Sequence, residues 1–201
     1  MAEQTPSPEQ VRSVVADVVT RYLDAGRSDA GRSDAPAAQD PGSGNEDELT
    51  VLAVGADHGG FHLKERLAAD LRDRGFTVRD CGTRSTDAVD YPDIAHAVAH
   101  KVATGECQAG IVIDGAGIVS AIAANKVPGV RAATCWDITS ARNSREHNYA
   151  NVLSLGAGLL GENLARQIVD AWLSTARGEA RHGRRVAKIG QLEQTYGTRL
   201  V

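Results

Sequence analysis

The stretch GIVIDGAGIVSAIAANK, residues 110–126, joins a short apolar run, an acidic residue, a glycine-rich turn and a run with helical character. Residues 111–113 have the length and β-branched composition of a buried strand. A helix that begins after such a turn presents unpaired backbone N–H groups, which favour an anion. The stretch therefore predicts a strand, a turn at Gly115 and Gly117 that binds an anionic group, and a helix, with Asp114 at the edge of the turn.

The same alternation extends on both sides of this stretch, from Leu49 to Thr175. Strand-like runs that are almost uniformly apolar alternate with amphipathic helix-like runs, which is typical of a parallel sheet covered on both faces. The sequence predicts an α/β protein, a three-layer α/β/α Rossmann-like fold with a five-stranded parallel sheet. The predicted strands are LTVLAVGAD, FTVRDCG, AGIVID, VRAATCW and NVLSLGA, and the predicted helices are FHLKERLAADLRDRG, YPDIAHAVAHKVATGE, GIVSAIAANK, DITSARNSREHN and GENLARQIVDAWLST.

The first part of the chain is predicted to be separate from this domain, which covers residues 49–201. Residues 1–25 contain a capping box that begins at Ser7 and a stripe of valines at helical spacing, so they predict an amphipathic helix. Residues 26–48 contain a tandem GRSDA repeat and no large apolar side chain, which predicts a disordered linker. An isolated helix of this length is marginal in water. The helix therefore either packs on its own domain or dimer mate, or docks on another protein.

Composition excludes several classes of protein. The net charge of −4 and the pI near 5.9 disfavour a nucleic-acid-binding protein. The three cysteines are odd in number and show no CxxC spacing, so neither a disulfide framework nor a metal site is predicted. The charged residues within 11–25 exclude a signal peptide or a membrane span there. The sequence predicts a cytoplasmic protein that needs no metal or other cofactor.

Polar residues follow several of the predicted strands. Asp57 and His58 follow the first strand, the Asp114 turn follows the third, and the helix after the fourth strand ends in SREHN, which contains His147 and Asn148. Sites in parallel sheets lie beyond the carboxyl ends of the strands, so these groups are expected to converge. The sequence GAGIVS also resembles a dinucleotide-binding fingerprint, which would make the chain a nicotinamide-dependent oxidoreductase. That fingerprint normally follows the first strand of its unit, which weighs against this alternative.

These motifs together resemble the type B ribose-5-phosphate isomerase family, which also includes the two galactose-6-phosphate isomerase subunits. The resemblance extends from about Thr50 to Ile189. It is carried by ADHGGFHLKERL, DYPDIAHAVA, AANKVPGVRAA, SREHNYANVLSLG and GEARHGRRVAKI. It implies aldose–ketose isomerisation of a sugar phosphate through an enediol, with ribose 5-phosphate and ribulose 5-phosphate as the foremost pair. It also implies a homodimer or a dimer of dimers whose active sites are each built from two chains.

The resemblance assigns roles to individual residues. Asp57 and His58 match groups that contact the sugar and its phosphate, and Arg181 and Arg185 match two phosphate-binding arginines. His147 matches the histidine that opens the sugar ring, and Asn148 matches a neighbour that binds a hydroxyl. The amides of Gly115 and Gly117 match those that stabilise the enediolate.

The chain departs from the family pattern where the proton is moved. The commonest family loop reads C-G-T-G-x-G with the cysteine as base, whereas Asp114 and Ala116 stand here in place of the cysteine and the threonine. A glutamate used by a second branch is replaced by Ser120, and a family arginine is replaced by Gly158. Asp114 is predicted to be the proton carrier. The alternative role for Asp114 is that it only caps the following helix. Two alternatives concern the whole chain: its substrate is another four- to six-carbon sugar phosphate, or it is a non-catalytic binding or scaffold subunit.

A last resemblance concerns residues 7–25. A capped amphipathic helix on a disordered tether is similar to the encapsulation peptides that deliver enzymes into bacterial microcompartments. It implies a shell or cargo protein as partner and a location in the microcompartment lumen.

Overall fold

The computed structural model describes residues 49–196 of the chain. Strands and helices alternate in it: β1 (Val51–Ala56), α1 (Phe61–Asp73), β2 (Thr77–Asp80), α2 (Tyr91–Ala103), β3 (Ala109–Asp114), α3 (Ile118–Ala124), β4 (Ala132–Thr134), α4 (Ile138–Glu146), β5 (Val152–Gly156), α5 (Glu162–Ser174) and α6 (Ala180–Tyr196). The predicted helix in 1–25 and the predicted linker 26–48 lie outside the described residues.

The five strands form one parallel sheet in the order β2-β1-β3-β5-β4. The predicted three-layer fold with a five-stranded parallel sheet is therefore confirmed. In the central pairing, Gly110 lies opposite Val152 and Asp114 lies opposite Gly156. The carboxyl ends of β3 and β5 are thus level, and the turns that follow them are neighbours.

The apolar core has two parts, one on each face of the sheet. On the first face, α1, α4 and α5 cover alternate residues of β1, β3 and β5. The side chains that form it include Leu63, Leu67 and Leu71 of α1, Ile168 and Trp172 of α5, and Leu52, Val54, Ile111, Ile113, Leu153 and Leu155 of the strands. On the second face, α2 and α3 contribute Ala95, Val98, Ala99, Val102 and Ala124 against Ala53, Val112 and Val152. Burial on both faces explains why the central strands β1, β3 and β5 are largely apolar.

The neighbouring strands β1 and β3 lead to opposite faces of the sheet. β1 is followed by α1 on the first face, and β3 is followed by α3 on the second. The two connections therefore diverge and leave a crevice beyond the carboxyl ends of these strands. Parallel α/β sheets bind their ligands at such a switch point.

Helix α6 was not predicted from the sequence. Its one buried side chain is His182, and it leaves Ile189, Leu192 and Tyr196 exposed. The helical spacing of these apolar residues and the i, i+4 spacing of Arg181 and Arg185 were the signals that could have revealed it. The basic residues within 177–188 predicted phosphate binding and not a helix.

Candidate active site

The connection after β1 places Asp57 at the crevice between β1 and β3. The Oδ1 atom of Asp57 accepts a hydrogen bond of 2.9 Å from the amide of Gly60, just before α1 begins. The neighbouring His58 is exposed, and its Nδ1 lies 3.4 Å from the amide nitrogen of Val89. A partly exposed carboxylate and an imidazole therefore stand side by side at the switch point, as the sequence predicted.

The turn after β3 is organised around Asp114, whose exposed fraction is 1%. Its Oδ1 accepts hydrogen bonds from the amides of Ala116, at 2.8 Å, and Gly117, at 2.5 Å. Its Oδ2 accepts one from the amide of Ser120, at 2.8 Å. Both oxygens are thus engaged by backbone donors at the start of α3. Of the two roles considered for Asp114, this geometry favours the cap of the following helix over the proton carrier.

Backbone packing also fixes this turn. Gly117 has a φ of 76°, a left-handed conformation that glycine adopts without strain. A β-carbon added at Gly156 would lie 2.6 Å from the carbonyl carbon and oxygen of Ala116, so the end of β5 rests directly on the turn. The hydroxyls of Thr134 and Ser154 both donate to the carbonyl of Gly117 at 2.6 Å. The turn is therefore held rigidly from the side of β4 and β5.

The remaining departures from the family pattern lie around the same turn. The side chain of Ser120 is buried, and its hydroxyl has no hydrogen-bond partner within residues 49–196. The amide of Gly158 donates to the carbonyl of Gly115 at 2.9 Å, and a β-carbon there would lie 2.9 Å from the same oxygen. In this chain the position of the family arginine is therefore a close backbone contact.

The other predicted residues form a second cluster. His147 follows α4, and its ring stacks on His182 of α6 with centroids 4.3 Å apart and planes 5° from parallel. His147, Asn148 and Arg185 line one cleft of about 240 Å³ with His182. Arg181, one residue before His182, pairs with Glu179 at 3.1 Å. The cluster is thus cationic and rich in hydrogen-bond donors.

The two clusters lie at opposite ends of the strands, one at the carboxyl ends and the other at the amino ends. The expected convergence of all these groups within one chain is therefore wrong. Helix α4 runs back along the strands, and the amide of Asn151, three residues after Asn148, donates to the carbonyl of Arg131 just before β4. Residues 147–151 therefore lie at the amino ends of β4 and β5. Gly110, level with the start of β5, is four residues from Asp114, which is about 13 Å of strand.

His182 is the residue of this cluster that sequence reasoning missed. Burial lowers the pKa of His182, and the positive charges of His147, Arg181 and Arg185 lower it further. Its ring gives His147 a flat surface on which to stack. Its place between the two predicted phosphate-binding arginines was the signal in the sequence.

Within residues 49–196, no group of three or more His, Cys, Asp or Glu side chains is placed to hold a metal ion. In the same part of the chain, no helix is both long and apolar enough to cross a membrane. The thiols of Cys81, Cys107 and Cys135 are free, and burial raises the pKa of Cys81 to about 11.

A family model described as Ribose/Galactose Isomerase matches residues 52–189. The chain belongs to the ribose/galactose isomerase family. The prediction of the family and the prediction of an isomerase enzyme are thereby confirmed.

The matches to known proteins cover nearly the whole length of each relative. It is 47% identical over 146 residues to ribose-5-phosphate isomerase B of Escherichia coli, covering 73% of this chain and 98% of that protein. It is 40% identical to D-erythrulose-4-phosphate isomerase of Pectobacterium atrosepticum, covering 72% and 96%. Among solved structures, it resembles ribose-5-phosphate isomerase B of Clostridium thermocellum with a TM-score of 0.72 and 50% identity, covering 73% and 99%.

Proposed function

We propose that the protein is an aldose–ketose isomerase of a phosphorylated sugar, with ribose 5-phosphate and ribulose 5-phosphate as the foremost pair. The observation that carries the proposal is the crevice between β1 and β3, where Asp57, His58 and the Gly115–Gly117 turn meet. Enediol chemistry needs a base and a donor to the developing oxyanion, and this crevice holds the carboxylate of Asp57 and the backbone amide of Gly115. Family membership supports the same chemistry.

We also propose that a second copy of the chain completes each site. The crevice of one chain has a carboxylate and an imidazole but lacks the cationic cluster, which lies at the opposite end of the strands. Helix α6 carries the two arginines of that cluster and leaves Ile189, Leu192 and Tyr196 exposed. A homodimer, alone or paired into a tetramer, would bring His147, Asn148, Arg181 and Arg185 of one copy to the crevice of the other. The arginines would bind the phosphate through forked donors.

Mixing of inactive variants tests the shared site. Asp57→Asn and Arg185→Ala remove groups from opposite ends of the strands, so refolding them together should restore part of the activity in sites that receive both intact residues. His147→Ala with Arg185→Ala is the matched control, because both side chains line one cleft of the same chain and no complementation is expected. If Asp57→Asn and Arg185→Ala never complement while each forms dimers, the shared site is wrong.

The substrate is tested directly by an isomerisation screen of four-, five- and six-carbon sugar phosphates. The relative named for D-erythrulose 4-phosphate supports including four-carbon substrates, because the match covers 96% of that relative. Turnover of ribose 5-phosphate above that of the shorter and longer sugars is the expected result. If no sugar phosphate is converted but one binds, the non-catalytic alternative replaces the proposal.

We further propose that residues 7–25 dock on a microcompartment shell or cargo protein. The support is the capping box at Ser7 and the valine stripe, which would fold in an apolar groove. Deletion of residues 1–48 should abolish recruitment to such a compartment and leave turnover and oligomer size unchanged. Val15→Asp should mimic the deletion by placing a charge in the stripe. Loss of activity or of the oligomer on deletion would make the segment structural instead.

A further inference from the structure

Asp114 is not positioned to exchange a proton with a substrate. Its carboxylate is buried and accepts three backbone N–H bonds, two at Oδ1 and one at Oδ2. Asp114 therefore acts as the hydrogen-bond acceptor that holds the turn and the start of α3 together.

The same bonds reduce the donors that the turn can offer to a substrate. The amides of Ala116 and Gly117 point at Asp114, so neither is directed at an oxyanion in the crevice. The amide of Gly115 makes no bond to Asp114. It lies next to the connection after β1, on the side of the crevice where Asp57 stands.

A small space beside Gly59 joins these two groups. The point where a β-carbon of residue 59 would lie is 3.3 Å from Oδ1 of Asp57 and 3.9 Å from the amide nitrogen of Gly115. The absence of a side chain at Gly59 leaves this point open. A ligand that occupies this space would have the carboxylate of Asp57 on one side and the amide of Gly115 on the other.

Asp57 has a free oxygen with which to act. It is partly exposed, its Oδ1 accepts only the amide of Gly60, and its Oδ2 has no hydrogen-bond or ion-pair partner within residues 49–196. Asp57 and Asp114 thus differ in environment. The carboxylate of Asp114 is buried and bonded to three backbone amides, whereas the carboxylate of Asp57 is partly exposed at the crevice. A pair of carboxyl groups in different environments often divides structural and chemical roles in this way.

We propose that Asp57 is the proton carrier of the isomerisation, with the amide of Gly115 as oxyanion donor and Asp114 as the anchor of the turn. The inference rests on the proposed function. Asp57 removes the proton from C2 of the aldose, the C–H electron pair forms the C1–C2 double bond, and the carbonyl oxygen O1 becomes the enediolate oxygen. The protonated Asp57 then delivers its proton to C1, while the proton of the C2 hydroxyl passes to O1 and the ketone forms at C2. No oxidant or other reactant is needed.

The decisive experiment compares Asp57→Asn with Asp137→Asn on the sugar phosphate that the wild-type protein converts best. Asp137 is a matched control because it is also an aspartate beyond a strand end, where it caps α4 through the amide of Ser140. Asp57→Asn should lower kcat by about 100-fold or more, the usual scale for a general base. It should also stop the entry of solvent deuterium at carbon, followed by NMR. Asp137→Asn should keep kcat within threefold to fourfold of wild type.

Rescue separates a base from a binding group. Formate should restore part of the turnover of Asp57→Gly, because a free carboxylate takes the place of the missing one, and should leave Asp57→Asn unchanged. A kcat for Asp57→Asn within tenfold of wild type, or a loss confined to KM, would overturn the assignment. If the wild-type protein converts no sugar phosphate at all, the proposed function itself has failed, which is a different result from an active enzyme that tolerates Asp57→Asn.

Discussion

Replacing Asp114 by alanine should destabilise the domain far more than an ordinary loss of a helix cap. The substitution leaves the amides of Ala116, Gly117 and Ser120 without their acceptor. Ala116 is half-buried and its amide can recruit water, whereas Gly117 and Ser120 are buried. A hydrogen bond to a charged group contributes about 1.5–3 kcal/mol, so two buried amides give a loss of at least about 3 kcal/mol. For a domain of this size, that corresponds to a fall in Tm of about 6–12 °C.

Thermal and urea unfolding of the purified variants measure this loss. Asp137→Ala is the matched control, because its carboxylate caps α4 at an exposed position through a single amide, that of Ser140. Loss of such a cap costs about 1 kcal/mol, or about 2–4 °C. Formate should recover part of the Tm of Asp114→Ala by occupying the vacated amides, and should not affect Asp137→Ala. If Asp114→Ala is no less stable than Asp137→Ala, the carboxylate does not anchor the turn.

Further predictions concern Gly59, His182 and Cys81. Gly59→Ala fills the space beside Asp57 and should lower kcat/KM at least tenfold in a sugar-phosphate assay. Gly161→Ala is the control and should be neutral, because a methyl group there meets nothing within 4 Å. Equal activities of the two variants would contradict the role of that space. The pKa of His182 is lowered by burial, so the unfolded chain binds the extra proton first as the pH falls below about 6.5. The free energy of unfolding, from urea titrations between pH 5 and 7, should therefore decrease more steeply towards pH 5 in the wild type than in His182→Gln, and parallel curves would contradict this. Burial raises the pKa of Cys81 to about 11, so iodoacetamide at pH 7.5 should alkylate the native protein much more slowly than a free cysteine, as followed by mass spectrometry; rapid labelling of Cys81 would show that its thiol is not protected.

The fold could be predicted almost completely from the sequence, because burial on both faces gives the central strands β1, β3 and β5 largely apolar runs. Strand β3 was predicted with the bounds that the structure has. Strand β4 is shorter than the run VRAATCW, since only residues 132–134 pair with β5 at the edge of the sheet. Helix α6 was missed because it packs little apolar surface and its sequence is dominated by charge.

The site could be predicted in part. The residues at the crevice were found because they directly follow strands, and strand ends fix position along the sheet. His147 and Asn148 were expected at the carboxyl ends of the strands because they follow β4 in the sequence, but α4 returns along the sheet and leaves them at the amino ends. The environment of Asp114 was also beyond the sequence, because a buried proton carrier and a buried cap are both aspartates at the same position. Only the direction of three backbone amides distinguishes them.

The contact between Gly156 and the backbone of Ala116 has a consequence for redesigning the protein. Main chain rests on main chain there, and the carboxylate of Asp114 ties the loop from within, so the outward-facing positions bear no part of the framework. Libraries that vary Ile118 and Val119, whose side chains are exposed, should therefore sample new side chains beside the turn without collapsing the scaffold. Libraries that vary Gly117 or Gly156 should yield mostly insoluble protein, because even one methyl group meets backbone at under 3 Å. A search for altered substrate preference would begin with the first set.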